Sequence, residues 1–142
     1  MESNRSGVES IRSAVMALNR GDIDGYLAHF DDSCQRWVAG VDQPFALGDI
    51  RDSLVQFHAA FNPLRLEEDA LFGDESRVCA RWRLCGRHVG EFMGLPASNR
   101  EISVEQCEVY EFRDGKVATV WTYGDMSALF RQIAIEAPGG DA

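Results

Sequence analysis

Between residues 77 and 123 one short pattern recurs three times. The segments "RVCARWRLCGRHVG", "EISVEQCEVYEF" and "KVATVWTY" alternate apolar and polar residues, and are broken by "LPASNR" and by "RDG". A period of two sends alternate side chains to opposite faces of a strand. Asn, Asp, Gly and Pro in the gaps turn the chain back on itself. The preceding "LRLEEDALF", joined through "GDES", supplies a fourth strand. Four strands with short returns predict an antiparallel meander, and one face of it must be covered.

The cover comes earlier in the chain. Val8, Ile11, Val15 and Leu18 recur at helical spacing, and Gly21 ends that helix. Asp22 opens a shorter helix carrying Ile23, Tyr26, Leu27 and Phe30. "CQRWVAG" (34–40) reads as a strand and "VDQPFALG" as a loop. Asp49 is expected to cap a third helix with Ile50, Leu54, Phe57 and Phe61 on one face, stopped by Pro63. After the meander, Asp125 is expected to cap a short helix, "MSALFRQIA", and residues 136–142 to form a disordered tail. Helices grouped before a sheet make the class α+β. The expectation is one domain over residues 1–135, a curved antiparallel sheet wrapped around helices as a cone with one interior cavity.

The turn "FRDGKV" decides which residues meet. A three-residue loop over Arg113–Gly115, with Gly115 left-handed, places Phe112 opposite Lys116, Glu108 opposite Val120 and Gln106 opposite Thr122. A two-residue Asp-Gly turn would change the partners. With the longer loop, Val104, Gln106, Glu108, Tyr110, Val120 and Thr122 share one face. Cys107, Val109, Trp121 and Tyr123 share the other. On the strand before, Val78, Ala80, Trp82 and Leu84 turn inward, and Arg81 and Arg83 turn outward towards Glu105 and Glu111. An outer face as apolar as Trp121 and Tyr123 make it predicts a homodimer packed through that face.

Glu108 stands out among the inward residues. A carboxylate among Val104, Tyr110 and Val120 loses hydration, which favours its protonated form and suits a general acid. Gln106, on the same face, both donates and accepts, which suits orienting a carbonyl or enol. Arg36 would meet an anionic or enolic ligand if it points inward. Trp82, Phe57, Phe61 and Tyr110 are candidate walls for an apolar pocket. His29, His58 and His88 lack metal-ligand spacing, so no metal is expected. With 14 basic against 23 acidic residues the net charge is −9, which repels nucleic acid and anionic membranes. The opening "MESNRSGVES" is unlike a secretion leader, and no apolar run is long enough to cross a bilayer. The four cysteines form no CxxC pair and read as mostly buried, reduced thiols of a cytoplasmic protein.

The stretches "CGRHVGEFMGLPASNREISVEQCEVYEFRDGKV" and "WTYGDMSALFRQIA" closely resemble the SnoaL-like polyketide cyclases of the NTF2-like superfamily. The resemblance is strong from Arg77 to Ala134. Over the helices it is weaker, where "ALNRGDIDGYLAHF" is common to the superfamily. It implies an NTF2-like cone holding an aromatic polyketide, with the residues matching Gln106, Glu108 and Thr122 lining the cavity, and it favours the three-residue turn. The cyclases share the glutamine at Gln106. They carry a histidine where this chain has Glu108. Where it has Thr122, they carry the aspartate that serves as acid and base in an intramolecular aldol closure. A threonine hydroxyl does not take up and return a proton near neutral pH. Asp125 matches a second, non-catalytic aspartate. The missing group points first to the anthracycline hydroxylase branch of the family. On that reading the chain binds no cofactor, oxygen is co-substrate, and NADPH acts through a partner reductase. Glu108 would protonate a substrate peroxide whose oxygens Gln106 and Thr122 orient. The alternatives are an aldol cyclase that has moved its acid to Glu108 and a non-catalytic polyketide-binding protein.

Overall fold

The computed structural model describes residues 6–134; the expected tail lies outside them. Helix α1 (Gly7–Asn19) starts where the Ser6 hydroxyl accepts the Glu9 N–H, and ends at Gly21, whose positive φ of 82° suits a residue without Cβ. Ile11, Ala14, Val15 and Leu18 form its buried stripe. The Asp22 carboxylate caps α2 (Ile23–Leu27) through the Gly25 N–H. Strand β1 (Phe30–Val38) follows, then a two-residue strand, β2 (Phe45–Ala46), inside the segment expected to be loop.

Helix α3 (Leu47–Ala60) starts two residues before the expected cap. Its N-cap is Ala46, and Asp49 sits inside the first turn, where its carboxylate accepts the Ala46 N–H at 3.0 Å. An alanine has no side chain to cap with, so only the returning half of a capping box is present. The helix also stops sooner than its apolar face suggested. Phe61 is the first residue of β3 (Phe61–Gly73), not the last of the helical stripe.

Strands β4 (Arg77–His88), β5 (Glu101–Arg113) and β6 (Lys116–Gly124) complete the meander, and α4 (Met126–Ile133) closes it. The sheet is curved, unclosed and ordered β2-β1-β6-β5-β4-β3. It is mixed rather than purely antiparallel, because β1 lies parallel along the free edge of β6. A meander leaves its last strand an unpaired edge, and β1 satisfies those backbone groups.

The expected three-residue turn does not form. Arg113 pairs with Lys116 around a two-residue Asp114-Gly115 turn, with φ of 53° and 80°. Two left-handed residues make the turn that matches strand twist. The ladder then slips: Phe112 pairs with Val117 but Glu111 with Thr119, leaving Ala118 bulged. Beyond the bulge Tyr110 faces Val120, Glu108 faces Thr122 and Gln106 faces Gly124. Beyond the bulge the partners differ from expectation by two positions, so the residues there keep their expected face, while before it Val117 rather than Lys116 stands opposite Phe112 and is buried. The burial of Val117, Val120 and Thr122 together requires the bulge, since positions 117 and 120 would otherwise point opposite ways.

Val78, Ala80, Trp82 and Leu84 face inward as expected. Outside, Arg83 stands 3.3 Å from Glu105 and 3.4 Å from Asp69. Trp121 stacks on Trp37 at 5.9 Å, and Tyr123 is 51% exposed. Cys34 and Cys85 are buried and Cys79 is partly so, but Cys107 is exposed; all four are free thiols. Among the described residues no helix is long and apolar enough to cross a membrane.

Candidate functional site

The concave interior is divided into two apolar clusters. One gathers Ile11, Val15, Tyr26, Phe30, Trp82, Tyr110 and Val120; the other gathers Phe61, Leu84, Phe92, Val104, Leu129 and Ile133. Glu108 lies within this interior, only 5% exposed. The β5–β6 register sets Thr122 directly opposite it, and the β4–β5 register sets Ala80 opposite on the other side.

Both Glu108 oxygens are engaged. Oε1 accepts the Tyr110 hydroxyl at 2.5 Å, and Oε2 accepts the Thr122 hydroxyl at 2.9 Å. Arg36 points inward from β1. Its Nε donates to Thr122 Oγ1 at 2.9 Å, and its Nη2 lies 4.0 Å from Glu108 Oε2. Behind Tyr110, the Trp82 indole N–H donates to the phenolic oxygen at 3.0 Å. Each hydroxyl has one proton. Trp82 fills an acceptor position on Tyr110 and Arg36 one on Thr122, so both hydroxyl protons are directed at Glu108. Glu108 thus accepts on both oxygens, an arrangement that a carboxylate satisfies. Beside the apolar neighbours expected there, Glu108 also meets two hydroxyls and a guanidinium. A buried charge is tolerated when it is paired and hydrogen-bonded, and bonds to a charged group contribute about 1.5–3 kcal/mol each.

The surrounding phenols are held protonated. Burial first, and then the charge of Glu108, push Tyr110 well above the usual tyrosine value. Tyr26 is raised by the same two causes. Both remain donors throughout the neutral range.

The other expected residues fall around this core. Gln106 is half-buried opposite Gly124, and its amide makes no hydrogen bond among the described residues, so it is available to a ligand. Phe57 is half-buried against Phe61 at 5.8 Å and Phe92 at 5.0 Å, and Phe130 stands 6.1 Å from Phe92. Phe92 and Phe130 escaped the sequence reading. Phe92 sits in an irregular segment with no period to mark it. Phe130 belongs with Met126, Leu129 and Ile133 to the apolar face of α4, a spacing that was readable. The histidines serve locally, His58 on the Leu54 carbonyl and His88 on Ser98. A surface concavity of about 420 Å³ lies away from Glu108, between Val41, Phe45 and the Asp52 side of α3. It is open and holds no buried charge, so the chemistry is better placed at Glu108.

A model of the SnoaL-like polyketide cyclase family matches residues 9–133. The chain belongs to that family. It is 38% identical over 69 residues to the aklanonic acid methyl ester cyclase AcmA of Streptomyces galilaeus, covering 49% of this chain and 48% of the relative. It is 35% identical over 69 residues to the nogalonic acid methyl ester cyclase of Streptomyces nogalater, covering 49% and 52%. The match thus spans about half the length of these curated relatives. Among solved structures it is similar to AclR of Streptomyces galilaeus, a proposed hydroxylase, with 28% identity, a TM-score of 0.79 and coverage of 86% of this chain and 90% of that one.

Asp125 lies outside the cluster, exposed at the head of α4. Its carboxylate accepts from the Ser127 hydroxyl and from the Ala128 N–H, and these bonds, in that order, hold it below the usual carboxylate range. The cap reading stands. A carboxyl lowered by folding contributes stability that is present above its unfolded value, about pH 4, and lost as pH falls through the folded value. Asp125→Ala should therefore melt at a lower temperature than the parent at pH 7, with the gap closing below about pH 4. Thermal unfolding across that range checks it; a gap that persists in acid would contradict the cap.

Proposed function

We propose that the protein closes a ring of an aromatic polyketide by intramolecular aldol addition, with Glu108 as the proton carrier. The observation that carries this is the 2.9 Å bond between Thr122 Oγ1 and Glu108 Oε2. Thr122 occupies the position where the resembling cyclases hold their aspartate. The carboxylate is not absent here but supplied from the neighbouring strand, directly across the β5–β6 pair. Glu108 removes a proton from the carbon between two carbonyls of the substrate. The resulting enolate carbon attacks a ketone carbon, a C–C bond forms, and the ketone oxygen becomes an alkoxide. Glu108 returns the proton to that oxygen, so product and substrate are isomers and no oxidant is needed. Arg36 stabilises the charge on the enolate and then on the alkoxide. Gln106 orients a substrate carbonyl, and Phe57 offers an aromatic surface to the rings.

A second reading is favoured by the likeness to AclR. There the protein would hydroxylate the polyketide with molecular oxygen, using electrons from NADPH delivered by a partner reductase. One assay separates the two. With aklanonic acid methyl ester, the substrate named for AcmA, ring closure should give an isomer of unchanged mass without oxygen or reductant. Glu108→Gln should lower turnover by at least about a hundredfold, the usual contribution of a positioned acid or base. A product heavier by one oxygen, formed only with reductant, would support the hydroxylase instead.

We also propose that two copies pair through the outer sheet face of Trp37, Trp121 and Tyr123. Light scattering should give twice the chain mass at micromolar concentration, and Tyr123→Glu should halve it. A monomeric parent would contradict the pairing.

A further inference from the structure

Trp82 and Tyr110 make a buried chain that ends on one oxygen of Glu108. Each is 1% exposed, whereas Gln106 and Phe57 are each half-buried. Trp82 and Tyr110 are not direct partners across β4 and β5: Trp82 pairs with Gln106 and Tyr110 with Val78. Their side chains meet on the diagonal across the intervening pair, Ala80 and Glu108. Ala80 is fully buried and is the smallest side chain that keeps the inward face intact, so the indole can pass over it to the phenol.

The two ends of the carboxylate thus differ. Oε1 is enclosed by Tyr110, whose proton is turned towards it because Trp82 takes an acceptor side of the phenolic oxygen. Oε2 faces Thr122 and Arg36, and the Arg36 side chain is 22% exposed, the most open member of the network. We propose that Trp82 and Tyr110 are positioning residues that anchor Glu108 through Oε1, leaving Oε2, on the Arg36 side, as the oxygen that exchanges a proton with substrate. This rests on the reading of Glu108 as proton carrier. It departs from the expectation that Trp82 and Tyr110 line the pocket as substrate contacts.

Removing the anchor leaves Glu108 with one hydroxyl partner, so the charged carboxylate is less well stabilised and binds a proton more readily. Tyr110→Phe should then lower kcat by about tenfold or more, the effect of one hydrogen bond to a charged group, while KM for aklanonic acid methyl ester stays within about twofold. The acid limb of the kcat/KM profile should move to higher pH. Trp82→Phe keeps an aromatic ring but loses the N–H, and should shift the same limb in the same direction by less. It also carries the test if Tyr110→Phe fails to fold, which near-ultraviolet circular dichroism would reveal. A raised KM with unchanged kcat and an unmoved acid limb in both variants would make them substrate contacts and overturn the proposal. A parent protein that leaves the ester unchanged would remove the reading beneath it, and the proposal with it.

Discussion

The hydrogen bonds that Tyr110 and Thr122 give to Glu108 fix the rest of the site. A carboxylate carried into the middle of a sheet's concave face must find donors there or give up its charge. This fold supplies one donor from the same strand, two residues on, and one from the strand beside it. Each donor is itself oriented from behind, by an indole N–H and by a guanidinium N–H. The result is a buried acceptor with a cation 4.0 Å from one of its oxygens. That combination suits taking a proton from carbon and steadying the oxyanion that follows.

The cluster depends on a backbone irregularity that no side-chain pattern announces. Alternation in "EISVEQCEVYEF" and "KVATVWTY" told which residues share a face, and that reading holds in the structure. It did not tell which residue sits opposite which. Asp114-Gly115 makes a two-residue turn, and the bulge at Ala118 adds the residue that returns Val120 and Thr122 to the inner face. The turn and the bulge together displace the pairing by two, so the expected faces survived an incorrect turn. What changed is chemical: Glu108 meets a threonine rather than a valine.

Arg36 shows a different limit. Its direction depends on the parallel pairing of β1 with β6, which joins the first long strand to the last. Local sequence marks hairpins through their turns, but nothing local marks a contact of that span. The displaced start of α3 has a simpler cause. Asp49 was read as a cap because aspartate favours that position, yet the same carboxylate serves equally well inside the first turn by reaching back to the Ala46 N–H. Asp125, which accepts the Ala128 N–H at the head of α4, was legible from sequence.

Membership of the SnoaL-like polyketide cyclase family says what scaffold this is; the proposed use of it rests on the position of the carboxylate. On the proposed reading, a proton carrier at Glu108 stays within one hydrogen bond of the Thr122 position, so substrate position need change little. Glu108 is proposed to rest as a charged acceptor at both oxygens. Infrared difference spectra between the parent and Glu108→Gln at neutral pH test it most directly. A resting carboxylate predicts loss of a carboxylate band upon substitution. Loss of a protonated carboxyl band instead would mean that Glu108 is a donor in the resting protein, and would contradict the base role proposed for it.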